Sequence, residues 1–98
     1  MDGLLQAVKI ALRISHNKLD TEIDDTIKAA RAELIRLGVA EKKANAIDDS
    51  LITDAIKIYC KYTFAVDDKQ RDGYFISWQY QADCLRKSKN YIAGDADV

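Results

Sequence analysis

No proline interrupts the 98 residues, and the four glycines are isolated singles. The first absence removes the commonest helix breaker and leaves glycine and capping residues to punctuate the chain. The second excludes the glycine-rich loops that cradle phosphates. A single histidine, His16, denies the chain the usual residue for proton transfer near neutral pH, and its neighbours Ser15 and Asn17 place it in a solvated turn. Two cysteines, Cys60 and Cys84, stand 24 positions apart without a CxxC partner or a basic cluster. They read as buried or half-buried thiols of a reducing compartment, neither disulfide-bonded nor nucleophilic. There is little excess charge of either sign: fifteen Lys and Arg face sixteen Asp and Glu, for a net charge of −1. Such a balance disfavours a protein that grips nucleic-acid phosphates. Neither a signal-peptide pattern nor a run of membrane-span length is present, so a soluble protein made in the cytoplasm is expected.

What is present suits one small globular domain, with 48% apolar and 32% charged residues. Four helical segments are predicted. Asp2 is placed to cap the first, where Leu4, Leu5, Val8, Ala11 and Leu12 share a face as far as Ile14. Thr21 with Asp24 resembles a capping box for the second, in which Ile23, Ile27, Ala30, Leu34 and Leu37 recur every three to four residues. Gly38 closes it in a left-handed conformation, with Val39 making the apolar contact of that cap. Residues 40–49 read as a charged connector whose Asp48, Asp49 and Ser50 cap a third helix from Leu51 to Val66. Its polar residues Thr53, Asp54, Lys57 and Lys61 fill one stripe and apolar residues from Leu51 to Phe64 cover the rest, so it is expected at the centre. After a polar break at 67–73, Tyr74, Trp78, Ala82, Leu85, Ser88 and Ile92 mark a long last helix. The expected fold is an all-α bundle of four helices over residues 1–93, with a mobile acidic tail at 94–98. Residues from Arg86 onward are expected to be poorly ordered in the free protein.

Constellations that carry chemistry are weak. The acidic pairs Asp24–Asp25, Asp48–Asp49 and Asp67–Asp68 sit near helix starts, where capping and the helix dipole account for them. A calcium-loop-like run starting at Asp68 has Gln79 where the bidentate glutamate belongs. No catalytic, cofactor-binding or metal-binding residues are therefore expected, and no enzyme. Arg86, Lys87 and Lys89 near Tyr80 and Tyr91 could suit a phosphate backbone, but cations also offset the dipole at a helix end.

The segments LLQAVKIALRIS (Leu4–Ser15) and LDTEIDDTIKAARAEL (Leu19–Leu34), followed by the Gly38–Val39 stop, form an ordered pattern with two later pieces. These are Leu51-Ile-x-x-Ala-Ile-x-x-Tyr59 and the stretch from Tyr74 to Tyr91 that ends CLRKSKNY. The pattern resembles the head-tail connector proteins of tailed bacteriophages, including prophage-encoded ones, over about residues 4 to 91. The resemblance implies a virion structural protein at the head-tail interface, assembled in the bacterial host cytoplasm. Its partners would be copies of itself in a ring, the portal protein and a tail-side completion protein, with genomic DNA passing through the lumen unbound. Contacts with another subunit or with the portal are expected at Phe75, Tyr80, Arg71, Arg86, Lys87 and Tyr91; in a ring, Arg71, Phe75, Tyr80, Arg86 and Lys87 would face the polar stripe of the second helix on a neighbouring copy. The competing class is a small helical DNA-binding or regulatory phage protein. It requires a basic recognition helix, whereas Lys28, Arg31 and Arg36 are interspersed with Glu22, Asp24, Asp25 and Glu33.

Overall fold

Two aspartates start the helices that begin at Ser50 and Asp68. Asp49 Oδ1 accepts hydrogen bonds from the backbone N–H of Leu51 at 3.0 Å and Ile52 at 3.2 Å. Asp67 Oδ1 does the same for Lys69 at 2.7 Å and Gln70 at 3.2 Å. Each satisfies two of the donors that a helix start leaves unpaired. A computed structural model describes residues 4–46, 49–88 and 91. Its helices are α1 (Leu4–Leu12), α2 (Asp20–Arg36), α3 (Glu41–Ala44), α4 (Ser50–Phe64) and α5 (Asp68–Lys87). No β-strand occurs among the described residues.

The all-α expectation holds, with differences at the boundaries. The charged connector contains a fifth helix, the single turn α3, held by the fully buried Ala44. The expected polar break at 67–73 is instead the first turns of α5, because the Asp67 cap and the Arg71–Asp68 pair let a polar surface segment propagate as helix. The Thr21–Asp24 capping box does not form: α2 starts two residues earlier, after Leu19, without a side-chain cap. The expected caps Asp2 and Asp48, and the tail 94–98, lie outside the described residues.

Glycine closes α2 as expected. Gly38 takes φ +114°, Val39 N–H donates to Leu34 O at 2.9 Å, and Gly38 N–H donates to Ile35 O at 3.0 Å. This is the paired hydrogen-bond pattern of a left-handed helix stop, with Val39 and Leu34 fully buried against the core. The same pattern ends α1 without a glycine. Arg13 occupies φ +60°, with Ile14 N–H on Lys9 O and Arg13 N–H on Ile10 O. That conformation costs a side-chain-bearing residue about 1–2 kcal/mol.

The expected central helix is central. α4 packs against α1, α2 and α5, and its residues Ile52, Ala55, Ile56 and Cys60 have no exposed surface. Val8, Ile23, Ile27 and Leu34 face it from α1 and α2, and Trp78, Ala82 and Leu85 from α5. Tyr59 meets Trp78 edge-on at 4.9 Å between ring centres, a favourable quadrupole arrangement. Leu12 and Tyr59 are only partly buried, and Leu51 points outward with 56% of its surface exposed. The body measures 45 × 31 × 18 Å, so it is about two helices thick.

One core residue is charged and was not anticipated. Lys9 is 3% exposed, with Nζ 2.8 Å from Asp20 Oδ1 and donating to Asn17 Oδ1 at 2.8 Å. The contact to Asp20 is a close ion pair whose geometry is not that of a hydrogen bond; Asn17 takes the hydrogen bond. Together they tie the end of α1 to the start of α2 across the intervening loop.

Two outcomes test this core. Ile56→Asp buries an unpaired carboxylate and is expected to cost several kcal/mol, enough to abolish cooperative melting by circular dichroism; retention of wild-type helicity and melting would displace α4 from the centre. Asp20→Ala strands the Lys9 ammonium and is expected to destabilise by about 3 kcal/mol, whereas Lys9→Met, of similar length and without charge, costs less than half as much. Equal losses in urea titrations of the two variants would show that the ion pair stabilises the fold in its own right.

Candidate functional site: an exposed face of the last helix

The residues with reactive potential are separated by the fold. His16 is exposed in the α1–α2 loop, where its Nδ1 accepts from Lys18 N–H at 3.2 Å. Cys60 lies in the core, and burial pushes its thiol up to about 12, far from a reactive thiolate at neutral pH. Cys84 is exposed on α5, which corrects the expectation that both thiols are covered. The calcium-loop-like run from Asp68 to Gln79 lies wholly within α5, and a continuous helix cannot wrap a cation as a loop does. Among the described residues no three His, Cys, Asp or Glu side chains are grouped to hold a metal ion, and no helix is long and apolar enough to cross a membrane.

The surface is distinctive elsewhere. α5 sets Trp78, Ala82 and Leu85 against α4 and turns Ile76 and Tyr80 the other way, 65% and 71% exposed. These two are one helical turn apart and form an apolar ridge on the longest helix. On one side of the ridge an open groove of about 550 Å³ runs between α5 and the C-terminal turn of α2, bordered by Phe75, Arg86, Glu33, Arg36 and Leu37. On the other side a smaller, mainly apolar hollow of about 280 Å³ is lined by Leu51, Cys84, Leu85 and Tyr91.

The rim of the large groove is charged and internally paired. Glu33 bonds Arg36, and Asp83 sits 2.7 Å from Arg86 and 2.9 Å from Lys87. The hydrogen bond from Arg36 holds Glu33 below the usual carboxylate range, and the Lys87 hydrogen bond, aided by Arg86, does so for Asp83. On α2, Lys28 pairs with Asp24 at 3.1 Å. Exposed pairs of this kind contribute little to stability but set a pattern of charge that a docking partner must match.

The six residues singled out from sequence are used differently. Tyr80 is the most exposed; Phe75 is 39% exposed, its ring stacked at a tilt on Tyr62 with centres 5.1 Å apart. Arg86 and Lys87 lie on the same helix and pair with Asp83. Arg71 instead closes the α4–α5 turn, donating to Ala65 O at 2.8 Å and pairing with Asp68 at 2.9 Å. Tyr91 does not stand free at a surface. It is buried, its hydroxyl donates to both Asp49 carboxylate oxygens at 2.9 and 3.1 Å, and its carbonyl accepts from Ala40 N–H at 2.7 Å. Burial, then the Asp49 contact, raises its phenol above the ordinary value. The expectation of disorder from Arg86 onward is therefore overturned at 86–88 and at 91, because α5 runs to Lys87 and Tyr91 is anchored to the capping residue of α4.

Sequence reasoning missed Ile76 and misassigned Leu51 to the core. The signal for Ile76 was available: with Trp78 and Leu85 facing inward, helical spacing turns positions 76 and 80 outward. The expected pairing of two opposed patches also changes, since Glu33 and Arg36 of α2 border the same groove as Phe75 and Arg86 of α5. Both belong to one continuous surface of the subunit.

Replacing Tyr91 with Phe keeps the ring and removes its bond to a charged acceptor. It is expected to lower unfolding free energy by about 1.5 kcal/mol in urea titrations. An unchanged midpoint would mean that the Tyr91–Asp49 clasp is absent in solution.

A family model described as phage connector protein matches residues 4–90. No curated protein and no solved structure matches the chain significantly.

Proposed function

The chain belongs to the phage connector protein family and has a connector-type structural role, and from that premise we propose that many copies form a ring between the portal and the tail of a phage particle. The ridge of Ile76 and Tyr80 carries this reading. Two large apolar side chains, each about two-thirds exposed, stand on the outer face of the longest helix, where a lone subunit gains nothing from them. An aromatic anchor flanked by arginine and charged pairs is the usual composition of a contact between proteins. Phe75, Tyr80, Arg86 and Lys87 border this face, with Arg71 bracing its start and Tyr91 flooring the smaller hollow.

A ring needs two different patches on each copy, because rotation carries one face onto the opposite face of the next. The α2–α5 surface supplies one. The second lies at the α4–α5 turn, where Val66 is 94% exposed. The portal protein and a tail-side completion protein cover the two ends of the ring, and genomic DNA passes through its lumen. A net charge of −1 is compatible with a lumen that does not grip phosphate. The site of action is then the head-tail interface of the virion, after assembly in the host cytoplasm.

The test is a double variant, Ile76→Asp with Tyr80→Asp. Both positions are already solvated, so melting is expected to shift by no more than about 0.5 kcal/mol, while annular particles seen by electron microscopy of protein mixed with portal disappear. Rings that form as readily with both aspartates present would remove the α5 ridge from the assembly contact.

A further inference from the structure

A second hollow sits at the far end of the subunit, where the ends of α1 and α4 meet the start of α5. It measures about 440 Å³, and its lining includes Arg13, Lys61, Phe64, Val66, Gln70 and Tyr74. Among the described residues that line it, the only charged ones are the two cations. No carboxylate among the described residues pairs with Arg13 or Lys61. Lys61 instead rests 5.9 Å from the centre of the Tyr74 ring. Position 13 keeps its arginine at φ +60°, where glycine would close α1 with less strain. The corner is thus an unneutralised pair of cations beside exposed apolar surface.

The chain carries a matching segment. Past Tyr91 the sequence is Ile-Ala-Gly-Asp-Ala-Asp-Val, with Asp95 and Asp97 two positions apart. In an extended strand that spacing puts both carboxylates on one side. The geometry points to docking of residues 92–98 from one copy in the Arg13–Lys61 corner of the next.

Reach separates the copies. Tyr91 is fixed beside Asp49 at the start of α4, and Lys61 is twelve residues further along that helix, about 18 Å away. Four fully extended residues carry Asp95 about 14 Å from Tyr91, and six carry Asp97 about 20 Å. Within one subunit the segment would have to run nearly straight along α4, giving up the conformational freedom of every residue. Between subunits no such stretching is needed. Donor and acceptor then sit at opposite ends of the same subunit, as a head-to-tail contact requires. The inference rests on the ring reading for this copy-to-copy geometry, but the contact is measurable without a ring.

The probe is a synthetic peptide of residues 92–98, added to isotope-labelled full chain carrying Asp95→Asn and Asp97→Asn so that its own segment does not compete. Amide resonances around Arg13, Lys61 and Gln70 are expected to shift. The shifts should vanish with a peptide bearing both asparagines, and with acceptor chain in which Arg13→Gln and Lys61→Gln are added. Peptide-induced shifts confined to the α2–α5 groove, or none, would overturn the inference. So would corner shifts caused by a short DNA duplex when the peptide causes none, which would assign the corner to phosphates. Association is read separately, by light scattering in the presence of portal. Arg13→Glu with Lys61→Glu in one chain, and Asp95→Lys with Asp97→Lys in another, should each lose it, and an equal mixture should regain it. Rings that survive deletion of 94–98 would sink the tail contact and leave the ring standing. Peptide binding at the corner without any ring would uphold the contact and sink the ring.

Discussion

The fold depends on covering one helix from three sides. Ile52, Ala55, Ile56 and Cys60 give α4 a face with no exposed surface, and each large apolar side chain so buried contributes about 1.5–3 kcal/mol. A 98-residue chain has few other places from which to draw stability. α1, α2 and α5 are therefore all committed to α4, and the body is only about two helices thick. A plate of that thickness has outer faces that the described residues leave uncovered. The outer face of α5, with Ile76 and Tyr80, and the α1–α4–α5 corner, with Arg13 and Lys61, are consequences of that arrangement.

Termini of helices are held by a small set of polar contacts that also link elements. Asp49 caps α4 and receives the Tyr91 hydroxyl, so one carboxylate starts the central helix and anchors the chain beyond α5. Asp20 begins α2 and neutralises Lys9 inside α1. The first anchors the chain beyond α5 to the start of α4, and the second orients α1 relative to α2.

Periodicity made the core legible. The spacing of Ile23, Ile27, Ala30 and Leu34 and the narrow polar stripe of α4 specified the buried faces, and Gly38 marked a helix stop that the structure realises with the expected bonds. The ordered pattern of four segments was also sufficient to point to the family. Features that depend on contacts between distant residues were not legible. Lys9 sits on an apolar face but is solvated by Asn17 and Asp20 from the next loop and helix, which no local pattern encodes. The basic residues around Tyr91 suggest a surface anchor, while its partner Asp49 is 42 positions away. The start of α5 was placed late because apolar spacing is silent in a helix segment that faces solvent; the cap at Asp67 was the informative signal.

The proposed assembly face can be read through a native thiol. Cys84 lies exposed in the hollow beside Tyr80, while Cys60 is sealed in the core with its thiol pushed up to about 12, so one cysteine reports on the surface and the other serves as an internal control. The decisive measurement is the rate at which a thiol-specific reagent modifies Cys84 in free protein and in protein mounted on portal-bearing heads. The account predicts rapid modification of Cys84 alone in the free subunit and at least tenfold slowing on the particle. Modification of Cys84 at the same rate in both states would contradict it, because the outer face of α5 would then remain open to solvent after assembly.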